Sequence, residues 1–179
     1  MNLKEMKLRV LSLIEEVNTE SEYLTDDIDI QAKINYVIDA KNNELARIKK
    51  IAAIETMDVK ANDTIDLYKD LKNFYMLKNI TGVEYDIFEN MVTFKEDGNV
   101  TIKYYKYPKK IDENTKDEDY KFENSRDVLE IMPLGIAADL LKSDVSAQYG
   151  QVYANAYTQA LNMLDIKTTT GTVRIVGGI

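Results

Sequence analysis

The chain has 179 residues, 45% of them hydrophobic and 30% charged, enough for a packed core and too apolar for wholesale disorder. Its formal net charge is −8 with no basic block, so DNA is not held by phosphate neutralisation, although an acidic wall would let a polyanion slide past. Cysteine and histidine are both absent, which removes disulfides, thiolate chemistry, the commonest general base and the preferred zinc ligand.

Residues 3–18 read as a first helix. Leu3, Met6, Val10, Leu13, Ile14 and Val17 recur at spacings of three and four and share one face. Asn2 caps it, with Glu5 completing a capping box. This amphipathic start is not a signal peptide. No apolar run approaches the roughly 20 residues of a membrane span. The expectation is a protein neither exported by the usual route nor held in a membrane.

A polar loop from Asn18 to Asp29 leads to a second helix over 30–50, capped by Asp27 or Asp29. Its face is Ile30, Ile34, Val37, Ile38, Leu45 and Ile48, and Lys49 and Lys50 suit its C-terminal dipole. The period then changes. Short β-branched and aromatic runs over 54–60, 64–67, 73–78, 84–88, 91–95 and 100–107 predict a small antiparallel β-subdomain spanning 53–108. Glu96-Asp97-Gly98-Asn99 reads as a hairpin turn, because Asp-Gly and Gly-Asn pairs tolerate positive φ; Glu89-Asn90 is a weaker turn.

Pro108 closes the last strand, and 109–124 is a polar, acidic loop. A third helix spans 125–142, where Pro133 should kink or split it. Asp144 caps a fourth over 145–164, with the face Val145, Tyr149, Val152, Tyr153, Ala156, Ala160, Leu161 and Leu164. Residues 166–179 form an extended C-terminal arm, a Thr/Gly spacer followed by the β-prone run Thr172–Val176 and Gly177-Gly178-Ile179. The expected class is α+β: mainly a bundle of about four helices, with the β-subdomain between the helix pairs. One domain covers 1–165.

No catalytic, cofactor or metal site emerges. The exposed acidic loop of Asp112, Glu113, Asp117, Glu118 and Asp119 lacks the glycine that an EF-hand needs at its sixth position, where Asp117 stands. Gly171, Gly177 and Gly178 match no phosphate-cradling motif. Ser143-Asp144 forms no recognisable nucleophile–base pair. Tyr104, Tyr105 and Tyr107 interleave with Lys103 and Lys106, but base stacking needs a positive groove that the acidic surroundings do not promise. Tyr149 and Tyr153, with Val152, Ala156, Ala160 and Leu161, read as a core or subunit-interface face. The run Thr172, Val173, Arg174, Ile175, Val176, Gly177, Gly178, Ile179 reads as an arm that adds a strand to another chain.

Three segments then resemble a known family. They are Ile34–Ala40, Val100–Ile111, and Pro133–Asp144 continuing through Tyr149–Tyr157. The chain resembles, over residues 1 to about 165, the head–tail connector (adaptor) proteins of tailed bacteriophages, and Val176-Gly177-Gly178-Ile179 is similar to that family's ending. The resemblance implies a non-enzymatic virion protein without cofactors. It implies a homo-oligomeric ring, usually of twelve copies and often monomeric before docking. The ring sits on the portal protein in the virion neck and forms in the host cytoplasm during assembly. It continues the DNA channel, so that double-stranded DNA passes through without sequence-specific binding. It also offers a surface to the tail-side neck protein, a stopper or tail terminator. The alternatives are another neck component (a stopper or tail-completion protein), a carboxylate-dependent hydrolase or nuclease, and a regulatory domain that binds a protein partner.

Overall fold

The computed structural model describes residues 1–18, 20, 24–143 and 147–168. Two compact units divide it. A helical unit takes residues 1–41, 112–121 and 125 onward, and a β unit takes 42–111 and 122–124.

In the helical unit, α1 spans Leu3–Leu13. The Asn2 side chain accepts the Glu5 N–H at 2.8 Å and the Glu5 carboxylate accepts the Asn2 N–H at 3.0 Å, closing the expected capping box. The helix stops at Leu13, short of the expected residue 18. Glu15 adopts φ 60°, which no continuing right-handed helix allows, and Val17 is exposed. Helix α2, Ile28–Ile48, starts where Asp27 Oδ1 accepts the N–H groups of Asp29 and Ile30. Its residues to Lys41 belong to the helical unit and those from Asn42 to the β unit.

Helix α4, Arg126–Leu140, contains Pro133 and is not split by it. Nine of its fifteen residues are buried, and packing of that order offsets the roughly 3 kcal/mol of a mid-helix proline. A 3-10 turn, Leu141–Ser143, follows, and α5 runs Ala147–Thr168. The core of this unit is Leu3, Met6, Val10, Leu11, Ile34, Ile38, Val128, Met132, Ile136, Tyr157 and Leu164. One cation lies inside it. Lys41 is 7% exposed, its Nζ sits 2.9 Å from Asp139 Oδ2 and 4.8 Å from the Tyr157 ring centroid, and a Cβ on Gly135 would collide with both Tyr157 and the Lys41 stem.

The β unit holds β1 (Ile51–Val59), β2 (Thr64–Asp66), the single-turn α3 (Leu67–Asp70), β3 (Phe74–Thr81), β4 (Tyr85–Phe88), β5 (Met91–Phe94) and β6 (Gly98–Lys106). All six expected strand runs form, but in two antiparallel sheets, ordered β1-β6-β3 and β2-β5-β4. Val59, Leu67, Phe74, Ile80, Val92, Phe94, Val100, Ile102 and Tyr104 make one core that draws on both sheets. The Asp97-Gly98 turn therefore carries the chain from one sheet to the other instead of closing a hairpin. Among the described glycines only Gly82 has positive φ, 125°. The Glu89-Asn90 turn does close a hairpin, β4–β5, with Glu89 at φ 55°.

These sheets overturn the expected class of a mainly helical bundle of about four helices with a small β-subdomain. Among the described residues, about 45% helix and 25% strand, as five helices and six strands, make a mixed α+β fold. Alternation along both sets of strands gives each sheet an apolar side, and two such sides cover each other as a bundle helix would. The expected arm beginning at residue 166 is also shortened, since the α5 backbone runs helically to Thr168, and residues 169–179 lie outside the described part.

Candidate functional site

Helix α5 carries no charged residue from Ala147 to Leu164, in a chain that is 30% charged. Gly150, Tyr157 and Leu164, seven apart, are buried. Gly150 lets the helix pass close to Leu141, since a Cβ there would lie a tight 3.2 Å from Leu141 Cβ. The Tyr153 hydroxyl donates to the Leu13 carbonyl, tying the end of α1 to this helix. On another face, Tyr149, Val152 and Met163 are 69%, 63% and 66% exposed. Ala156 and Gln159 complete their three-and-four spacing, so the five form one stripe. Its neighbours are amides: Gln151 Nε2 donates to Asn155 Oδ1 at 3.0 Å.

Tyr149 and Val152, from the face read in sequence, therefore reach solvent, while Tyr153, Ala156, Ala160 and Leu161 are half-buried. Val145 and the cap Asp144 lie outside the described residues. A stripe of Tyr, Val and Met without charge has the composition of a protein-contact core, where charged side chains are depleted.

The acidic loop is partly spent on its own unit. Asp117 pairs with Lys7 at 2.8 Å and Glu118 with Lys4 at 3.0 Å, while the backbone N–H groups of Leu3 and Lys4 donate to the carbonyls of Tyr120 and Asp117. Asp112 Oδ1 accepts from the Asn114 N–H and the Thr115 hydroxyl. Glu113 and Asp119 are exposed and have no ion pair among the described residues. No group of three or more acidic side chains placed to hold a metal ion occurs among the described residues.

The strand tyrosines separate. Tyr104 is buried, and its hydroxyl donates to Glu55 Oε1 at 2.9 Å; burial first, and that carboxylate second, push its pKa up to about 12. Tyr107, just past β6, packs on Tyr75 with ring centroids 4.9 Å apart, and the Arg47 guanidinium lies 5.7 Å from its ring. Tyr105 faces the opposite way from Tyr104, with the ammonium groups of Lys50 and Lys78 at 5.2 and 5.9 Å from its ring centroid. Sequence reading missed those two lysines because they come from other elements, and only strand register brings them together. A further apolar surface surrounds the β4–β5 hairpin, where Phe88 and Tyr68 are 76% and 65% exposed.

The arm residues Thr172, Val173, Arg174, Ile175, Val176, Gly177, Gly178 and Ile179 lie outside the described residues. No helix among those described is long and apolar enough to cross a membrane. Compared with known proteins, the chain matches no family model and no curated protein.

Proposed function

We propose that the chain is a structural virion protein, the head–tail adaptor of a tailed bacteriophage. On this reading a ring of copies, twelve in number, docks on the portal, continues the DNA channel and gives the tail-side neck protein its attachment surface. The uncharged, exposed stripe of α5 is the observation that carries it. It falls largely within Pro133–Tyr157, the part of the sequence that resembles the connector family most specifically.

Two copies that each bear −8 repel, and they approach with least opposition along a strip holding no charge. Covering Tyr149, Val152 and Met163, each about two-thirds exposed, contributes roughly 1–2 kcal/mol apiece. That sum is too small to hold two free copies together against the entropy of association. It becomes sufficient when a portal holds many copies side by side, because each contact is then made at high effective concentration. Weak lateral contacts and a templating partner suit an adaptor that is monomeric until it docks. The run Thr172–Ile179 supplies the portal contact by strand addition, backbone hydrogen bonds giving affinity and alternate side chains specificity. No cofactor and no catalytic step belong to this reading.

Electron microscopy of the purified chain mixed with the portal protein of the same phage tests the proposal. A ring of this chain beneath the portal, matching its symmetry, is expected. A chain that stays unbound and monomeric at saturating portal would refute it.

A further inference from the structure

We infer that the outer face of the β1-β6-β3 sheet is a cationic docking surface for the acidic loop, residues 112–119, of a second copy of this chain. On β6, Val100, Ile102 and Tyr104 point into the core and Lys103 and Tyr105 point out. The register sets Ile54 and Asn79 on either side of Lys103. It sets Ala52 and Met76 on either side of Tyr105. Lys78 is the residue bypassed at a register shift of β3, and its ammonium reaches the Tyr105 ring. Lys50, just before β1, reaches the same ring.

Lys50, Lys78 and Lys103 are all exposed, and none has an ion pair among the described residues. The carboxylate on this face, Asp58, lies at its far end and already accepts from Asn99 Nδ2 at 3.0 Å. A chain with eight more acids than bases thus gathers three unneutralised cations on one side of one sheet. Two ammonium groups lie over the half-buried Tyr105 ring and compete with any base that would stack there. Ile54, 64% exposed beside Lys103, fits a polypeptide rather than a phosphate backbone. The loop offers the complement: Glu113 and Asp119 are exposed and unpaired among the described residues, and the Glu118 carboxylate is 74% exposed beside its Lys4 partner.

A lysine face cannot meet its own image without repulsion, and neither can an acidic loop. The contact is therefore face to loop, and within the ring reading it runs from each copy to the next, the heterologous, head-to-tail arrangement that generates rings. The inference deepens the ring reading and rests on it.

Weak attraction between free copies is read by static light scattering at 20 and 500 mM NaCl. A protein of uniform negative charge repels itself more at low salt, whereas complementary patches attract more there. The wild-type chain should attract at 20 mM and lose that attraction at 500 mM. Lys50→Glu/Lys78→Glu/Lys103→Glu should repel at low salt. Each exposed pair is worth a factor of about 1.5–5, so the loss of three should lower the pair-association constant roughly 3- to 100-fold. Lys33→Glu/Lys110→Glu/Lys142→Glu carries the same net charge with no change on the three strands of this sheet and should fall less. Glu113→Lys/Asp119→Lys should repel alone and attract when mixed with the face variant, because the swapped charges pair.

The inference is overturned if the face variant and its charge-matched control behave alike. It is equally overturned if the mixture attracts no more than the mean of its components. Face-dependent binding of a 20-base-pair duplex with no effect on self-attraction would replace the second copy by nucleic acid and also overturn it. A face variant that still forms the ring on the portal defeats this contact alone. A wild-type chain that forms none defeats the ring reading itself.

Discussion

Val152→Glu separates folding from assembly. Val152 lies on the α5 stripe and is 63% exposed, with Gln151 and Asn155 as polar neighbours. Glutamate forms helix better than valine, and a solvent-facing position away from caps and core shifts stability by about 0.5 kcal/mol or less. For a chain of this length that moves Tm by roughly 1–2 °C. At a copy-to-copy contact the same change removes about 1–2 kcal/mol of apolar burial. It also buries a carboxylate with no cation on either neighbouring turn of the helix, costing several kcal/mol more. Together these exceed about 3 kcal/mol per contact, over a hundredfold, and they recur at every position of the ring. Differential scanning fluorimetry should show a melt within about 2 °C of wild type, and co-sedimentation with portal should show the loss of bound chain. Val152→Ala, which removes only part of the burial, should bind with an intermediate loss. Wild-type levels of portal-bound ring from Val152→Glu would refute the assignment of this stripe to subunit contact.

Other predictions follow from the two cores and the arm. Gly82→Ala should cost about 4 kcal/mol in urea unfolding of the β unit, because the backbone holds φ 125° and a Cβ would stand 2.2 Å from the Asn99 carbonyl oxygen; a change under 1 kcal/mol would contradict that geometry. Tyr104 favours its neutral form in the folded state, with a pKa of about 12 against an unfolded 10. Its contribution is complete below pH 10 and is lost as pH rises from 10 towards 12, at most about 2–3 kcal/mol. Absorbance at 295 nm should show a late-titrating phenol that Tyr104→Phe removes. Asp139→Ala should destabilise more than Lys41→Met, about 2–3 against 1 kcal/mol or less. The first removes the carboxylate 2.9 Å from an ammonium that is 7% exposed, whereas the second leaves a carboxylate one-third exposed with Lys142 at 3.6 Å; equal melts would argue against a buried charge there. Removing residues 171–179 should abolish portal co-sedimentation and leave the far-ultraviolet circular dichroism of the remaining chain unchanged.

What could be read along the chain was what depends on near neighbours. The capping box of Asn2 and Glu5, the Asp27 cap and all six strand runs involve residues a few positions apart. The hidden features depend on partners far away in sequence. Asp97-Gly98 has hairpin chemistry, yet β5 and β6 lie in different sheets because Val92 and Phe94 pack across from Val100 and Ile102 instead of beside them. Lys41 sits mid-helix where periodicity asks for an apolar residue, and its place there is explained by Asp139 and Tyr157, far away in sequence. Periodicity could not divide the α5 face into core and surface, although a better signal, the loss of all charge from Ala147 to Leu164, was present in the sequence.

The lysine face was the least legible of all. Strand alternation places Lys103 and Tyr105 on one side, but it says nothing of Lys78, which sits at a register shift of β3 where alternation fails. Acidic composition argued against a cationic surface, and composition averages over positions that a sheet separates. Tyr104 and Tyr105 are adjacent in sequence, yet one is sealed in the core against Glu55 and the other stands between two ammonium groups. A single step along β6 thus crosses from core to cationic surface, and the face it reaches belongs to three strands at once.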